Sequence, residues 1–335
     1  MKSSGIGGQA VIEGIMMKHG DEYSVAVRKP DGEIELQISN YEGVLKNSRI
    51  KKWPFIRGVF AFIDSLVLGM KTLTFSASFY EEEEEAQASK ADQVMEKLFK
   101  DKAEKVVMGL AIVLSVVLAV GIFMVLPLLI AGYFKKYIIS YTVLAIIEGA
   151  IRIILFISYV ALISCMKDIK RVYMYHGAEH KCINCVEHGK ELTVENVRSS
   201  SKQHKRCGTS FLLMVVIISV FFFMFIRVDS PVVRLLSRVL LVPLIAGVAY
   251  EFIRLAGNTD NKLIGILSKP GLWMQGLTTK EPDDSMIEVA ITAVEAVFDW
   301  KAYLAEEFGA EQLGDKHDVS GSKDIRRKEA GAVTD

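Results

Sequence analysis

The chain has 335 residues, which is enough for one large or two ordinary domains, and its formal net charge at pH 7 is +0. Hydrophobic residues make up 51% of it, and the mean hydropathy of +0.29 is high for a soluble protein. The balanced charge gives no indication of a nucleic-acid partner, and we expect none. The composition instead points to apolar segments that contact a lipid bilayer.

The first segment, residues 1–54, is rich in glycine and then in β-prone residues. Two β-prone runs in residues 23–38 flank the sequence Lys-Pro-Asp-Gly at residues 29–32, which is typical of a hairpin turn. The sequence Gly-Ile-Gly-Gly-Gln-Ala at residues 5–10 superficially resembles a dinucleotide-binding fingerprint. Because no predicted strand precedes it, we interpret it as a tight backbone turn. The N-terminal residues lack the apolar stretch of a secretory signal peptide, so we expect the N-terminus to stay in the cytoplasm.

Residues 55–105 combine an apolar helix with a charged one. Apolar side chains in residues 55–79 repeat at helical spacing, but three charged residues interrupt them: Arg57, Asp64 and Lys71. Because a charge within a membrane span is costly, we predict an amphipathic helix that lies on the membrane or packs against the bundle. A fifth span or a re-entrant hairpin is the alternative. Five glutamates follow at residues 81–85, and we predict a charged cytoplasmic helix up to residue 105.

Residues 106–256 are predicted to form a membrane domain of four spans. The spans are assigned to residues 106–134, 137–166, 209–226 and 232–253. The first contains no charged residue and exceeds the roughly 20 residues that cross a hydrocarbon core of about 30 Å. The predicted fold class is therefore an all-α membrane helical bundle of about four transmembrane helices. A small N-terminal segment with a β-hairpin and amphipathic helices on the cytoplasmic side complete it.

Charged residues occur in two of these spans. Glu148 and Arg152 are four residues apart on one helix face of the second span. We interpret them as an ion pair that locks the bundle, with a substrate-facing role as the alternative. Arg234 and Arg238 lie in the first turns of the fourth span, where we expect them to extend to the membrane interface.

The distribution of basic residues predicts the orientation of the chain. The connection 167–206 carries nine lysines and arginines, against two and three in the other short connections. The positive-inside rule places this connection in the cytoplasm, and with four spans both termini are cytoplasmic too. Residues 257–303 are predicted to be a cytoplasmic segment with an amphipathic helix at residues 286–300, and residues 304–335 a disordered tail.

The candidate chemistry lies in the connection 167–208, which contains Tyr-His-Gly-Ala-Glu-His-Lys at residues 175–181. His176 and His180, four residues apart, would project from one helix face and share one metal ion. Glu179 could then act on a water as general base, in the H-x-x-E-H arrangement of inverted zinc hydrolases. A catalytic zinc requires a third protein ligand. The candidates, of which the histidine ranks slightly ahead of the glutamate, are His204, Cys207 and Glu251.

A rival grouping would form a closed structural zinc site. It combines Cys182 and Cys185 with His204 and Cys207, at spacings that are typical of zinc knots. This grouping would leave the two histidines of the H-x-x-E-H arrangement unused. That argues for two sites or for the first grouping.

Several motifs resemble the DUF1385 (YqhQ) family of bacterial integral membrane proteins. They are Gly-Gly-Gln-Ala-Val-Ile-Glu-Gly-Ile-Met-Met at residues 7–17, Tyr-His-Gly-Ala-Glu-His-Lys at 175–181, Leu-Thr-Val-Glu-Asn-Val at 192–197 and His-Lys-Arg-Cys-Gly-Thr-Ser-Phe at 204–211. The resemblance extends over nearly the whole chain and implies a metal-dependent enzyme in the bacterial cytoplasmic membrane. It favours the following residues over a closed cysteine site: His176, Glu179, His180, His204 and Cys207.

Three functions remain open at the level of the sequence. The first is a hydrolase, most simply a peptidase, that uses zinc or another divalent transition metal at the cytoplasmic membrane face, with Glu179 as its catalytic residue. The second is a non-catalytic membrane scaffold or assembly factor with a structural metal. The third is a metal-dependent enzyme that acts on a lipid or a lipid-linked substrate. The sequence predicts no particular peptide, protein or lipid substrate and no oligomeric state.

Overall fold

The computed structural model of the protein describes residues 2–45, 53–80, 103–226, 228, 230–259 and 261–309. The acidic run at residues 81–85 and the predicted charged helix up to residue 102 lie outside these ranges, as does the tail from residue 310 onwards. Residues 304–308, which we expected in a disordered tail, belong to a helix that ends at Phe308.

The strands and helices are numbered in chain order. The strands are β1 (Gly7–Val11), β2 (Gly14–His19), β3 (Glu22–Arg28) and β4 (Ile34–Asn40). The helices are α1 (Ile56–Ala77), α2 (Ala103–Val120), α3 (Leu126–Phe134), α4 (Tyr141–Ile163), α5 (Lys167–Glu187), α6 (Val194–Ser199), α7 (Gly208–Phe223), α8 (Pro231–Gly257), α9 (Lys262–Thr278), α10 (Asp284–Val297) and α11 (Trp300–Phe308). A π-helical turn, Gly121–Val125, joins α2 to α3.

The chain forms two compact units, each assembled from separate segments of the sequence. The first unit comprises Met1–Glu42, Arg171–His204 and Thr279–Asp335. The second unit comprises Gly43–Lys170 and Lys205–Thr278. The strands, most of α5 and the C-terminal helices therefore belong to the first unit, and the long apolar helices belong to the second.

The N-terminal strands form an antiparallel meander in the order β1-β2-β3-β4. The predicted hairpin is confirmed, because β3 pairs with β4 and Arg28 lies opposite Ile34 at its turn. The interpretation of residues 5–10 as a tight turn is wrong for most of that stretch. Gly5 has a left-handed φ of 74°, but β1 begins at Gly7 and pairs with β2 along its whole length. A strand so rich in glycine carries little local signal, and its partner strand defines it instead.

The core of the first unit contains apolar side chains from the sheet and from α5 and α10. Met17, Ala26, Ile183 and Ile287 are among its fully buried members. Helix α10 begins where it does because Asp283 caps it and accepts a hydrogen bond from the Met286 amide at 3.0 Å. The first unit thus holds α5, the helix with the candidate histidines, against a sheet and a second helix.

Among its described residues, the second unit contains four helices that are long and apolar enough to cross a membrane: Ile56–Ala77, Gly109–Phe134, Tyr141–Ile163 and Val232–Gly257. The coarse prediction of four such helices is confirmed, but the set differs by one member. The predicted span 209–226 corresponds to α7, whose 16 residues rise about 24 Å at 1.5 Å per residue. Helix α1, which we predicted to lie on the membrane or to pack against the bundle, has the length and composition of a span.

A buried ion cluster joins α4 to α8 within the second unit. Glu148 and Arg152 form the predicted pair, with 2.9 Å between Oε1 and Nη2. The expectation that Arg238 extends to the membrane interface is wrong, because this side chain is 3% exposed and donates to both carboxylate oxygens of Glu148. A side chain that extends to the interface avoids the cost of desolvating its guanidinium group. Arg238 is buried instead, and the carboxylate of Glu148 on another helix offsets this cost.

Candidate metal centre

Helix α5 carries the H-x-x-E-H residues. It begins at Lys167, after α4 has ended at Ile163, so these residues lie on a helix of their own and not in a long loop. His176, Glu179 and His180 share one face of α5 because they are three and four residues apart. The imidazole centroids of the two histidines are 4.4 Å apart, and each ring offers a ligand nitrogen within 4.8 Å of the other. The structure therefore brings the two imidazoles together, as their spacing predicts.

Polar side chains on α5 organise the backbone of residues 198–203. His180 Nδ1, Lys181 Nζ and Asn184 Nδ2 are the donors, and all three residues are buried. His180 donates to the carbonyl of Lys202 at 2.7 Å, Lys181 to those of Arg198 and Ser200 at 2.9 and 3.0 Å, and Asn184 to those of Ser201 and Gln203 at 2.7 and 2.9 Å. These hydrogen bonds bring His204, the next residue, to a centroid distance of 5.7 Å from His180.

Glu187 orients His204, a role that no motif in the sequence indicates. Its Oε2 accepts a hydrogen bond from His204 Nε2 at 3.3 Å. Its Oε1 accepts from the amide and the hydroxyl of Ser4, both at 2.8 Å. Glu187 is 0% exposed, so this carboxylate holds Ser4 and His204 away from solvent inside the first unit. The missing signal has a simple cause, since Glu187 lies outside every recognisable motif.

Strand β1 passes directly beside the carboxyl group of Glu179, which is 5% exposed. A Cβ atom built on Gly8 would lie 3.0 Å from Glu179 Cδ and 2.7 Å from the carbonyl oxygen of Met16. Position 8 therefore has room for glycine only. Gly8, one of the glycines that superficially suggested a nucleotide fingerprint, instead allows the first strand to approach the candidate catalytic carboxylate.

Glu13, in the turn between β1 and β2, anchors the early part of α5. Its carboxylate accepts hydrogen bonds from Arg171 and, at 3.3 Å, from the hydroxyl of Tyr175. The hydrogen bond to Glu13 raises the pKa of Arg171 above its ordinary value, so the guanidinium stays charged. Burial, and then the nearby Glu13 charge, raise the pKa of Tyr175, so the phenol remains a donor. The hydrogen bonds from Arg171 and Tyr175 to Glu13 therefore hold the turn of α5 that precedes His176.

The segment that precedes α10 also contacts α5 through the backbone. A Cβ atom on Gly177 would lie 2.0 Å from the carbonyl oxygen of Lys280, and the Lys280 amide donates to the carbonyl of Tyr173 at 2.8 Å. Gly177, which is unfavourable for helix formation, is therefore required by this close approach.

Glu281 continues the same contact with two ion pairs. Its carboxylate lies 2.9 Å from Lys181 Nζ and 3.1 Å from Lys202 Nζ. Burial alone would raise the pKa of Glu281, but the hydrogen bonds from the two lysines outweigh it and lower the pKa below its ordinary value. Glu281 therefore links α5 to the segment that supplies the carbonyl acceptor of His180.

Cys182 and Cys185 belong to the apolar core of the first unit. Burial raises the pKa of both thiols, well above the ordinary value for Cys182 and to about 11 for Cys185. Cys185 Sγ donates to the carbonyl of Glu191 at 3.3 Å. Among the residues that the structure describes, neither cysteine belongs to a cluster of three close ligand atoms. The geometry thus gives no support to the rival closed cysteine site.

Two of the predicted ligands lie in the second unit. Cys207 is the residue before α7, and its sulfur lies 3.1 Å from the hydroxyl of Thr209. The carboxylate of Glu251 accepts hydrogen bonds from Arg57 and from the Phe55 amide. The assignment of Cys207 and Glu251 as ligands stays a prediction from the sequence.

Comparison with known proteins identifies the family. Residues 53–300, well over half of the chain, match the family described as "Protein of unknown function (DUF1385)". The chain belongs to the DUF1385 family. The matched part of this DUF1385 chain includes α5 with His176 and His180. It is also similar to "Uncharacterized protein YqhQ" of Bacillus subtilis (strain 168), with 36% identity over 288 residues that cover 85% of this chain and 89% of that protein. No solved structure gives a significant match.

Proposed function

We propose that this DUF1385 chain binds zinc or another divalent transition metal through His176 and His180. On this proposal the chain is a hydrolase, most simply a peptidase, and Glu179 is its general base. Neutral imidazole suits zinc and its neighbours among the transition metals. The three residues share one face of α5, which is the arrangement that the chemistry requires.

The hydrogen bond of His180 is the observation that carries this proposal. A metal-binding histidine usually donates its second ring N–H to a carbonyl or a carboxylate, which fixes the tautomer and orients the ring. His180 Nδ1 donates to the Lys202 carbonyl at 2.7 Å, which leaves the lone pair of Nε2 for a metal. A buried imidazole held in this way, beside a second imidazole, is a fitting donor set for a metal ion.

We propose His204 as a third ligand within the first unit, because its ring lies at a centroid distance of 5.7 Å from that of His180. Among the described residues, His204 lies outside the group of ligand atoms within 4.8 Å of one another that contains His176 and His180. Its Nε2 donates to the buried carboxylate of Glu187, so Nδ1 is the ring atom that would bind the metal. The carboxylate of Glu187 thus supports His204 in the same way as the carbonyl of Lys202 supports His180. Cys207 and Glu251 remain further candidates on the basis of the sequence.

The proposed chemistry assigns a role to each residue. A divalent ion held by the histidines would polarise a carbonyl or phosphoryl oxygen of the substrate. Glu179 would accept the proton of the attacking water and pass it to the leaving group. Gly8 would keep the space beside this carboxylate free of a side chain. A peptide, a protein loop or a lipid-linked ester are the substrate classes that this chemistry could serve.

The composition of the first unit supports a specific membrane topology. Its three segments are separated in sequence by the apolar helices of the second unit. Segments that fold together must lie on one side of the membrane, so the number of crossings between them is even. Crossings by α2–α3 and α4, and then by α7 and α8, satisfy this condition. The bilayer would thin locally around the short α7.

The same condition argues against a complete crossing by α1. If α1 also crossed, the number of crossings before Arg171 would be three, and a fourth would be needed. Only the charged residues 81–105 could supply it, and their transfer into a bilayer is costly. Helix α1 would then lie within or on one leaflet, as an interfacial helix does. The nine basic residues of the connection 167–206 support a cytoplasmic position for the first unit, and with it for both termini, in a bacterial cell.

A structural metal site in a membrane scaffold or assembly factor is the second candidate. The burial of the site favours it, since His180 is 1% exposed and Glu179 5% exposed. A catalytic metal needs an open position for water and substrate. His176 is only half-buried, so a substrate would have to reach the site from the side on which His176 lies.

A Glu179→Gln variant separates the two candidates. The full-length chain in lipid nanodiscs is incubated with a peptide library and, in a second arm, with a bacterial lipid extract, and hydrolysis products are detected by mass spectrometry. The wild-type chain should hydrolyse a member of the peptide library or of the lipid extract. The rate of this hydrolysis should fall at least about 100-fold in Glu179→Gln, while the variant retains the metal. Glu195→Gln, an exposed residue on α6, is the matched control and should behave like the wild type.

The opposite results would favour the structural role. If the metal-loaded wild-type chain hydrolyses neither peptides nor lipids, or if Glu179→Gln is as active as the wild type, Glu179 is not a general base. The hydrolase proposal would then be abandoned.

A further inference from the structure

A small cavity of about 40 Å³ lies among the membrane helices of the second unit. It is found where α3 ends and α4 begins, and where α7 ends and α8 begins. One acidic and three basic side chains line it: Glu148, Lys135, Arg234 and Arg238. Lys135 and Tyr141, which also line it, are exposed, so the cavity reaches the surface of the described chain.

Among the described residues, the buried ion cluster that borders this cavity carries an excess of positive charge. Glu148 pairs with both Arg152 and Arg238, and each of the three is at most 5% exposed at its side chain. One carboxylate thus faces two guanidinium groups. Both guanidinium groups lie over the ring of Phe223, at 4.9 and 5.0 Å from its centroid, which offsets only part of the cost of a buried charge. Within membrane helices this excess favours the binding of an anion.

The side chains of Arg238 and Arg234 both line the cavity. Arg238 Nε is buried and has no hydrogen-bond partner among the described residues, although a buried N–H normally has one. The guanidinium group of Arg234 donates to the main-chain oxygen of Val228 at 3.0 and 2.6 Å. A neutral carbonyl does not compensate its charge.

We propose that this cavity binds a phosphate oxyanion, either as the headgroup of an anionic phospholipid or as free phosphate. Guanidinium groups are planar donors that match the oxygens of phosphate. One water molecule needs roughly 10–15 Å³ of such space, so a cavity of about 40 Å³ accommodates a group of a few heavy atoms. The rest of a lipid would stay in the bilayer. The site uses none of the candidate metal ligands and is independent of the proposed hydrolase.

The test compares two arginine variants of the full-length chain. Arg234→Gln removes a charge at the cavity without breaking the buried ion cluster. Arg254→Gln removes the same charge from the other end of α8, at an exposed position, and is the matched control. Radiolabelled inorganic phosphate is measured by equilibrium dialysis in detergent. Retention of phosphatidylglycerol, against phosphatidylcholine, is measured by native mass spectrometry.

The two arms identify the source of the anion. Saturable binding of inorganic phosphate indicates a free anion, and selective retention of phosphatidylglycerol alone indicates a lipid headgroup. In either case Arg234→Gln should weaken binding at least about tenfold, the effect of one lost charge-assisted hydrogen bond, and Arg254→Gln should not change it. If the wild-type chain binds neither probe, or if the two variants weaken binding equally, the proposal is wrong.

A Glu148→Gln variant tests the sign of the charge argument. Removal of the one acidic group among the described residues that line the cavity should tighten phosphate binding, whereas a merely structural disturbance would weaken it. Thermal unfolding of the variant shows whether it is folded. If it is not, the pair of Arg234 and Arg254 variants decides alone.

Discussion

His204 Nε2 lies 3.3 Å from Oε2 of Glu187, and the two side chains are 3% and 0% exposed. A carboxylate in this position orients a metal-binding imidazole, and the loss of such a partner typically weakens metal affinity 10–100-fold. We therefore expect Glu187→Gln to bind zinc about 10–100-fold more weakly, as measured by competition with a chromophoric chelator. Gln retains an acceptor for Ser4, so the variant should remain folded. Unchanged affinity would show that His204 is not a ligand.

The cap of α10 should make the stability of the chain depend on pH. Asp283 accepts hydrogen bonds from the hydroxyl of Ser285 and the amide of Met286, at 2.7 and 3.0 Å. Burial alone would raise the pKa of Asp283, but these hydrogen bonds lower it below its ordinary value. A lowered pKa in the folded state means that the contribution is complete above the pKa of the unfolded chain. It is lost as the pH falls through the folded value.

Two variants of Asp283 separate capping from charge. Asp283→Ala should destabilise the chain by about 1 kcal/mol at neutral pH, since alanine cannot cap. Asp283→Asn keeps the cap and should be close to the wild type at neutral pH, with a weaker loss of stability between pH ~5 and ~3. Thermal unfolding of the full-length chain across this range measures both. An equal loss at neutral pH for both variants would contradict the assignment of a cap.

The cysteines should differ sharply in reactivity. Burial raises the pKa of the Cys185 thiol to about 11 and that of Cys182 well above its ordinary value, so both stay protonated at neutral pH, and the thiol form is unreactive. Cys165 is exposed and serves as the internal control. Under native conditions, iodoacetamide should label Cys165 first, and the other two only after unfolding, as read by peptide mass spectrometry. Rapid labelling of Cys185 in the folded chain would contradict this packing.

Gly177 should tolerate no side chain. Alanine is the better helix former by about 0.5–1 kcal/mol, so helix propensity alone predicts that Gly177→Ala is stabilising. The Cβ atom would lie 2.0 Å from the Lys280 oxygen, and overpacking of this kind typically costs about 1–3 kcal/mol. We expect a lower midpoint of thermal unfolding. Gly7→Ala, with no atom within 4 Å of the new Cβ, should be nearly neutral, and stabilisation by Gly177→Ala would contradict the close approach.

Features that depend on local sequence could be predicted. The hairpin follows from the turn residues 29–32, because Pro and Gly determine the backbone angles of a turn by themselves. The approach of His176 and His180 follows from helical periodicity alone. The ion pair of Glu148 and Arg152 follows for the same reason.

Features that depend on distant segments could not be predicted. Strand β1 is glycine-rich and becomes a strand through its pairing with β2. Arg238 is buried because Glu148, 90 residues earlier in the sequence, accepts its hydrogen bonds. Glu187 became visible only when the fold brought Ser4 and His204 to the two oxygens of its carboxylate. A local sequence pattern does not indicate partners that are distant in the sequence.

Metal analysis of the purified full-length chain tests directly whether His176 and His180 bind a metal ion. Inductively coupled plasma mass spectrometry should find about one zinc or related divalent ion per chain, and His176→Ala and His180→Ala should lose it. His188→Ala is the matched control, because His188 is an exposed histidine just after the end of α5. It should retain the metal in full, as should Glu179→Gln. A wild-type chain without stoichiometric metal, or His180→Ala and His188→Ala variants with equal metal content, would contradict the account.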